Sequence, residues 1–348
     1  MPPSRTSSDV SSRRTKPGPH VTSYDVARLA GVSQSAVSRC FNGGPGVSAK
    51  TRAAISKAAE SLGYKPNAIA RMLSTKRSNL VAVIVANLGF NPDFVRTLNR
   101  LFTERGLTVM LFTLDHEEDA DHVIDQFWQY RVDGVVSAAK LSERHVQMLA
   151  ERRLPLIFIN RTYNPLPVNS VCCDQAEGER WLVERLCAAG HRRFAIVTGP
   201  KDSSVSDQRV SGAVEWLRAA GVDPPKIVPG DFTYDGGVAA MRAIAQSGKI
   251  PDAVICANDY TAIGCIDEAR HGLKLRVPRD ISIVGFDGAA PGRWASYDLA
   301  TVRQPTHAMV NAAIDMLMAR VDDPGLAMEK RSYSGELILG SSARLGES

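Results

Sequence analysis

Hydrophobic residues recur with two different periods along the chain. Between Val21 and Asn42 they fall at helical spacing in two short segments on either side of Gly31, which predicts two helices joined by a tight turn. A third amphipathic segment lies between Val47 and Gly63. From Leu80 onward, short apolar segments alternate with amphipathic ones. That order predicts alternating strands and helices, and therefore parallel sheets with right-handed crossovers.

The second pattern predicts a body of two α/β lobes. The roughly 270 residues after Leu80 exceed the size of one hydrophobic core, so two doubly wound sheets are expected. The predicted strands are 80–87, 107–115, 134–139, 155–160, 168–174, 194–199, 227–232, 253–259, 281–287 and 299–304.

The first two predicted helices have recognisable caps and a shared apolar side. Thr22, with Asp25 three residues later, can cap the first helix, and Ser33 can cap the second. The apolar side of the second helix is expected to pack on Val26, Ala27 and Ala30. It consists of Val32, Ala36, Val37, Cys40 and Phe41.

The opposite side of the second helix is polar. Its side chains can hydrogen-bond base edges or phosphates, which suits a DNA-binding helix-turn-helix. They are Gln34, Ser35, Ser38, Arg39 and Asn42. The alternative is an ordinary helical hairpin with a solvated polar face.

The third predicted helix begins after Ser48 and ends at Gly63. Lys50, Arg52 and Lys57 are expected outside, where a duplex backbone would pass. The predicted buried face is Ala53, Ala54, Ile55, Ala58, Ala59 and Leu62.

A short helix is predicted after the Lys65-Pro66 step, capped by Asn67 and reaching about Ser74. It is far shorter than the roughly 12–15 residues at which an isolated helix becomes marginal, so it needs a partner. Its one-sided apolar stripe is Ile69, Met72 and Leu73. Without further information, a DNA-ordered hinge and a linker helix packed on the body are equally good interpretations.

These segments together resemble the lactose-repressor (LacI/GalR) family of transcriptional regulators. The resemblance lies in TSYDVARLAGVS, VSRCFN, VSAKTR, LGYKPNAIARML and the strand LVAVIVAN. It implies that the short helix is a hinge helix and that Leu73 wedges into the minor groove, in agreement with the physics of intercalating side chains. The DNA-binding residues expected from the pattern and the resemblance together are Thr22, Tyr24, Ser33, Gln34, Ser35, Ser38, Arg39, Asn42, Asn67 and Leu73.

The resemblance also covers the body, as a periplasmic-binding-protein-like fold. The expected organisation is a disordered tail at 1–20, a headpiece at 21–66, a hinge and linker at 67–79, and an effector-binding and dimerisation domain at 80–348. Within that domain the chain is implied to cross between lobes near residues 175, 304 and 332. The N-lobe then holds about 80–175 and 305–332, and the C-lobe about 176–304 and 333–348.

Charge separates the same regions. Residues 1–79 contain 13 lysines and arginines against 3 acidic residues, whereas residues 80–348 contain 29 against 34. A basic head on an acidic body is typical of a polyanion-binding module joined to a domain that should not bind polyanions.

Composition argues against a membrane or secreted protein and against disulfides or a zinc site. No apolar segment is long enough to span a membrane or to serve as a signal peptide, so a cytoplasmic protein is expected. The six cysteines lack CxxC spacing and lie mostly in apolar segments, so reduced, buried thiols are expected rather than disulfides or a zinc site. No cofactor or metal is predicted.

Ligands of open parallel sheets bind beyond the carboxyl ends of the strands. The predicted ends carry carboxylates, amides, an arginine and an aromatic ring, a set that suits a polyhydroxylated ligand. At any single position, a helix-capping role is the better interpretation for Asp or Asn. The residues are Asn87, Asp115, Asn160, Arg161, Asp174, Phe232, Asn258, Asp259, Asp287 and Gln304.

The family resemblance sharpens this set. Arg209 in SDQRVSG, Asn258 in ICANDYTAIG and Asp287 in SIVGFDG match effector-binding positions. Asn160, Cys173, Phe232 and Gln304 also align with pocket positions. Two departures put the identity of the effector in doubt: Gly288 stands where a second carboxylate is common, and Gly340 where an arginine is common.

Enzyme classes find little support. No GxGxxG motif follows the first strand, and no P-loop motif is present. The Cys172-Cys173 pair and His191 could suggest an acyl-transfer enzyme, but with six cysteines and seven histidines in the chain such a combination is expected by chance. The predicted function is an effector-responsive homodimeric regulator, most simply a repressor of a carbohydrate operon, bound to a pseudo-palindromic operator. A ligand-binding protein tethered to the nucleoid is the alternative. No heptad tail follows the last predicted strand, so tetramers are not expected.

Overall fold

The computed structural model describes residues 21–41, 45–65, 77–86, 92–114, 119–163, 166–201 and 203–347. The chain forms two compact units, Met1–Ser78 and Asn79–Ser348. Of the predicted residues, Asn42, Asn67, Leu73, Asn87 and Asp115 lie outside the described ranges. Among the described residues, no helix is both long and apolar enough to cross a bilayer.

The first unit contains three described helices: α1 (Ser23–Ala30), α2 (Gln34–Phe41) and α3 (Ala49–Ser61). Gly31 has φ 65°, the left-handed conformation that ends α1 and that glycine adopts without strain. The predicted caps are confirmed: the Asp25 carboxylate accepts from Thr22 N and Oγ1, Ser33 Oγ from Ala36 N, and Ser48 Oγ from Thr51 N.

The core of this unit is small. It consists of Val26, Ala27, Val37, Cys40, Ile55, Ala58 and Ala59. The prediction that Ala53 and Ala54 face inward is wrong, because both are exposed. Ile55, Ala58 and Ala59 already form an i, i+3, i+4 stripe, and positions 53 and 54 fall outside its arc.

The second unit is built on two six-stranded sheets. The N-lobe sheet has the order β11-β5-β4-β3-β1-β2, and the C-lobe sheet β12-β10-β9-β8-β6-β7. The strands are β1 (Leu80–Val85), β2 (Thr108–Thr113), β3 (Gly134–Ser137), β4 (Leu156–Ile159), β5 (Asn169–Cys173), β6 (Phe194–Val197), β7 (Lys226–Val228), β8 (Ala253–Cys256), β9 (Ser282–Asp287), β10 (Ala300–Arg303), β11 (Lys330–Tyr333) and β12 (Glu336–Ile338).

Helices cover the faces of both sheets. A π-helical segment, Glu268–Gly272, follows α10, and a 3₁₀ turn, Ala290–Arg293, follows β9. The α-helices are α4 (Pro92–Glu104), α5 (Ala120–Tyr130), α6 (Glu143–Glu151), α7 (Gln175–Ala188), α8 (Ser204–Ala219), α9 (Tyr234–Gln246), α10 (Asp259–Asp267) and α11 (Thr306–Asp322).

All ten predicted strands are present, and all but the edge strands β2 and β7 are buried over most of their length. β3, β4, β6 and β8 have no exposed residue, as expected for parallel strands covered by helices on both faces. The parallel prediction is confirmed for every pairing except that of β12, which runs antiparallel to β10.

The chain passes between the sheets three times. It leaves the N-lobe sheet after β5, returns to it at β11, and ends in the C-lobe sheet at β12. Between β10 and β11, α11 packs on β3, β4 and β5 of the N-lobe. One hydrophobic cluster runs through both lobes, with members such as Ile159 in the N-lobe and Phe286 in the C-lobe. The carboxyl ends of the strands of both sheets therefore meet between the lobes.

Candidate functional site

Arg209 is the most constrained side chain of the predicted effector site. It lies on α8 and is 2% exposed. Its Nε donates to Gln175 Oε1 at 2.8 Å, one terminal nitrogen to the Ala257 carbonyl at 2.5 Å, and the other to Asp287 Oδ1 at 2.8 Å. The guanidinium carbon lies 3.9 Å from the centroid of the Phe286 ring, a cation–π contact. Each donor direction is fixed, so the side chain is preorganised.

A chain of hydrogen bonds leads from Asp287 across the lobes. Asp287 Oδ1 also accepts from Gln304 Nε2 at 2.6 Å, and Gln304 Oε1 accepts from Asn160 Nδ2 at 2.5 Å. Asn160 Oδ1 then accepts from the backbone N–H of Cys173 at 2.8 Å. Five of the predicted effector residues thus form one network, from α8 and β9 of the C-lobe to the ends of β4 and β5 of the N-lobe.

The remaining two predicted residues form a separate pair. Asn258 Oδ1 accepts from Thr261 N at 3.0 Å and its Nδ2 donates to the Phe232 carbonyl at 2.9 Å. Asn258 thus caps α10 and fixes the loop that carries Phe232, whose ring contacts Gly199. The capping interpretation is therefore correct for Asn258, whose amide oxygen and nitrogen both have partners inside the C-lobe.

Three of the predicted residues have strained backbones. Asn160, Phe232 and Asp287 have φ values of 53°, 67° and 124°, in a backbone region that residues other than glycine rarely occupy. Such conformations cost about 1–3 kcal/mol each and cluster at functional sites. Asn160 and Asp287 lie at the ends of strands from the two lobes, and Phe232 lies in the loop after β7.

Buried acids lie behind this network in the C-lobe. Asp259 accepts from Thr301 Oγ1 and from Ala289 N, both at 2.6 Å, and burial together with the nearby Asp287 raises its pKa to about 7. Burial raises the pKa of Glu179 to about 8, although Arg209 opposes the shift, and neither carboxyl oxygen has a hydrogen-bond partner. At neutral pH, Glu179 therefore holds a proton in most molecules.

Cysteine chemistry in the cleft is suppressed. Burial raises the pKa of Cys173 to about 12, so its thiol stays protonated at neutral pH and is a poor nucleophile. All six cysteines are free, and all but Cys187 are buried. In the described part of the chain, no group of three or more His, Cys, Asp or Glu side chains could hold a metal.

A cavity of about 520 Å³ opens beside Asp287. Asp93 and Arg100 of α4 line it from the N-lobe, and Arg303 at the end of β10 from the C-lobe. Its size is that of an ordinary small-molecule site. The Asp287–Gln304 end of the network therefore faces open space.

Sequence reasoning missed three residues that the site depends on. Gln175 orients Arg209, Thr301 holds Asp259, and Ser203 caps α8 at the C-lobe side of the cleft. Gln175 sits one position after Asp174, the end of a predicted strand, so a wider window at that strand end would have included it.

The predicted DNA-contacting residues of the first unit that the structure describes lie on α1, on α2 and at the positions just before these helices. Tyr24 is 71% exposed. Gln34 Nε2 donates to Ser23 Oγ at 3.2 Å, Ser33 and Ser35 share a 3.0 Å hydrogen bond, and Arg39 Nε donates to the Ser35 carbonyl at 3.3 Å. Ser38 is half-buried. Lys50, Arg52 and Lys57 on α3 are exposed as predicted.

Comparison with protein families gives two matches. Residues 22–67 match the model of bacterial regulatory proteins of the lacI family, and residues 183–343 match a periplasmic binding protein-like domain.

Similar proteins match along most of the chain. The HTH-type transcriptional regulator CelR of Thermobifida fusca is 34% identical over 85% of this chain and 90% of its own. Catabolite control protein A of Priestia megaterium is 30% identical over 86% and 92%. The ribose operon repressor of Escherichia coli K12 is 29% identical over 92% and 99%.

Solved structures agree with these relatives. The lac repressor dimer bound to operator and the anti-inducer ONPF superposes with a TM-score of 0.81 at 27% identity, covering 92% of this chain and 98% of that one. The complex of transcriptional regulator CelR with cellobiose gives 0.70 at 30% identity, covering 92% and 99%.

Proposed function

This chain belongs to the lacI family of bacterial regulatory proteins, and on that premise we propose that it is a DNA-binding repressor of a carbohydrate-related operon, controlled by a small effector bound between the lobes. The observation that supports effector control is the network from Arg209 through Asp287 and Gln304 to Asn160. It joins the lobes through side chains that a hydroxylated ligand can replace.

In the proposed mechanism the effector competes for Asp287. Its Oδ1 accepts from both Arg209 and Gln304, and a ligand hydroxyl could take the place of the Gln304 donor. Gln304 and Asn160 would then rearrange, and the preferred angle between the lobes would change. An effector can shift this equilibrium only by its differential affinity for the two arrangements.

We propose that the first unit recognises the operator. Gln34, Ser35 and Arg39 lie on the polar side of α2, from which a recognition helix contacts base edges. Thr22, Tyr24, Ser33 and Ser38 are proposed as further contacts, and Asn42, Asn67 and Leu73 are proposed from the family resemblance.

Dimerisation and a non-enzymatic role complete the proposal. The lac repressor relative was solved as a dimer on operator, and a two-fold dimer on a pseudo-palindromic site is proposed here. A binding rather than catalytic cleft is supported by the protonated Cys173 thiol and by relatives that are transcriptional regulators. A protein that binds operator DNA in a bacterium would act in the cytoplasm.

The operator proposal is tested by a binding selection on random duplexes. Wild type should enrich a pseudo-palindrome. Arg39→Ala should weaken binding to it by about 1–3 kcal/mol and relax one base position per half-site. Glu60→Gln, an exposed change on α3, serves as the control. An unaltered base preference for Arg39→Ala would remove that residue from the base-reading set.

The effector proposal is tested by titration. Cellobiose, D-ribose and related sugars are first screened by thermal shift on the full chain. The sugar that binds is then titrated into free protein and into operator-saturated protein. Coupling of about 1–3 kcal/mol should change its dissociation constant roughly 5- to 150-fold. Equal constants would mean that the cleft does not control DNA binding.

A further inference from the structure

Arg161 is a half-buried arginine of the cleft whose hydrogen-bond partners are neutral. It directly follows Asn160 at the end of β4, and its side chain reaches from the N-lobe to the C-lobe. Its Nε donates to the Ala138 carbonyl at 3.2 Å, and a terminal nitrogen lies 3.5 Å from Ser203 Oγ. Both acceptors are neutral.

No carboxylate among the described residues lies within ion-pair distance of Arg161. The buried Arg209 pairs with Asp287 at 2.8 Å, and the buried Arg320 lies 3.9 Å from Glu329. A guanidinium withdrawn from water without a counter-ion is costly, because its charge loses hydration and gains no compensating partner.

The surroundings of Arg161 add positive charge instead of removing it. Burial lowers the pKa of Arg161; Tyr163 opposes this shift, and the neighbouring Arg209 lowers the pKa further. Asp287, which pairs with Arg209, already accepts from both Arg209 and Gln304. Asp259 is turned away toward Thr301 and Ala289, and Glu179 is protonated in most molecules at neutral pH.

We propose that the effector of this protein carries an anionic group, a carboxylate or a phosphate, which Arg161 binds in the cleft. The inference rests on the proposed function and specifies its ligand class. A guanidinium has five N–H donors, and Arg161 uses two on the acceptors above, so donors are left for an anion. Arginine binds carboxylate and phosphate oxygens in bidentate geometry, so the site fits either group.

The test compares matched ligands on the full-length chain. Thermal shift and calorimetry are run with D-glucose and D-galactose, their uronates and their 6-phosphates, and with inorganic phosphate against chloride at equal ionic strength. At least one anionic member should bind at least 10-fold more tightly than its neutral parent. Preference for uronates or for 6-phosphates identifies the anion.

Variants assign the effect to Arg161. Arg161→Gln should weaken anion binding about 10- to 100-fold, the usual range for losing a charge-assisted hydrogen-bonded pair. Arg161→Lys should restore part of it, because the charge returns without the bidentate fork. Arg144→Gln, which alters an exposed N-lobe ion pair, should leave it unchanged.

Four outcomes would overturn the inference. Neutral sugars that bind as well as the anions and release operator would leave the proposed function standing and the anionic class wrong. Anions that bind Arg161→Gln as tightly as wild type, or no anion binding at all, would exclude the site. Asp202 lies outside the described residues and directly precedes Ser203 in the sequence. Strong coupling between Arg161→Gln and Asp202→Asn in a double-mutant stability cycle without ligand would reveal an internal counter-ion in place of a ligand site.

Discussion

The arginines on the two faces of the cleft, Arg209 and Arg161, have different hydrogen-bond partners. On the C-lobe, Arg209 is buried, bonded to three acceptors and neutralised by Asp287. On the N-lobe, Arg161 is partly buried and has a carbonyl and a hydroxyl as acceptors. The C-lobe face is therefore preorganised before any ligand arrives, whereas the N-lobe face retains unused binding capacity. The C-lobe face should therefore determine the stability of the body, and the N-lobe face should determine its affinity for ligand.

The largest effect is expected from removing the C-lobe arginine. Arg209→Met leaves Asp287 buried without its cation and should destabilise the body by about 3–5 kcal/mol. Arg161→Gln should change ligand-free stability by less than about 1 kcal/mol. All four tryptophans lie after residue 79, so denaturant unfolding followed by tryptophan fluorescence reports on the body alone.

A double variant supplies the control for that prediction. Arg209→Met with Asp287→Leu removes both charges and should recover most of the lost stability. If Arg161→Gln costs as much as Arg209→Met, the contrast between the two faces is wrong.

The buried acid of the C-lobe should make stability depend on pH. The pKa of Glu179 is raised from 4.5 to about 8, so the folded state binds more protons than the unfolded state between those values. Stability should therefore fall as pH rises from about 4.5 to about 8. Glu179→Gln removes the contribution of Glu179 to this dependence and leaves that of Asp259, and it should be more stable at pH 7 by on the order of 2–4 kcal/mol, with the gain vanishing near pH 4.5.

Glu184→Gln is the matched control, because Glu184 lies on the same helix, α7, and its side chain is 40% exposed. Unfolding of all three proteins is measured in urea from pH 5 to pH 8. Parallel pH curves for wild type and Glu179→Gln would show that Glu179 ionises normally.

Gln304, which links the two faces, should contribute less to the stability of the body. Gln304→Leu removes one donor from Asp287 and one acceptor from Asn160, and should cost about 1–2 kcal/mol. Arg303→Gln, which breaks the exposed pair with Glu336, should cost under about 1 kcal/mol. A Gln304→Leu protein as stable as Arg303→Gln would show that the network contributes nothing to the body.

The smallest effect isolates backbone strain at Asn160. Asn160→Gly and Asn160→Ala lose the same side-chain bonds, but only glycine adopts a φ of 53° without strain. Asn160→Ala should therefore be less stable by about 1 kcal/mol. Equal unfolding midpoints would indicate that the loop relaxes when the side chain is removed.

Ten of the strands were predictable, and the two short edge strands β11 and β12 were not. LVAVIV of β1 and LIFI of β4 are continuous apolar segments because helices cover both faces. β11 (KRSY) and β12 (ELI) escaped prediction because each is a short edge strand whose residues are all exposed or half-buried. Nothing in their composition distinguishes them from a loop, and their pairing partners lie elsewhere in the chain.

At the site, residue types were predictable and partners were not. Asp287 and Arg209 could be named from their motifs. The other acceptors of the Arg209 guanidinium, Gln175 Oε1 and the Ala257 carbonyl, could not, because tertiary packing places them there. Arg161 was visible only as a strand-end residue. The proposed role of Arg161 depends on the absence of a carboxylate counter-ion among the described residues, which a sequence pattern cannot show.

The late return of the chain to the N-lobe sheet has a consequence for synthesis on the ribosome. β11 pairs with β5, and the register joins Lys330 to Ser170. At about 5–20 residues per second, on the order of 10–30 s separate the appearance of those two residues. During that interval the outer edge of β5 has no β11 to cover it while the whole C-lobe sheet except β12 emerges. An unpaired edge of this kind is open to pairing with other chains, so a holdase chaperone should engage nascent chains that end between residues 173 and 333.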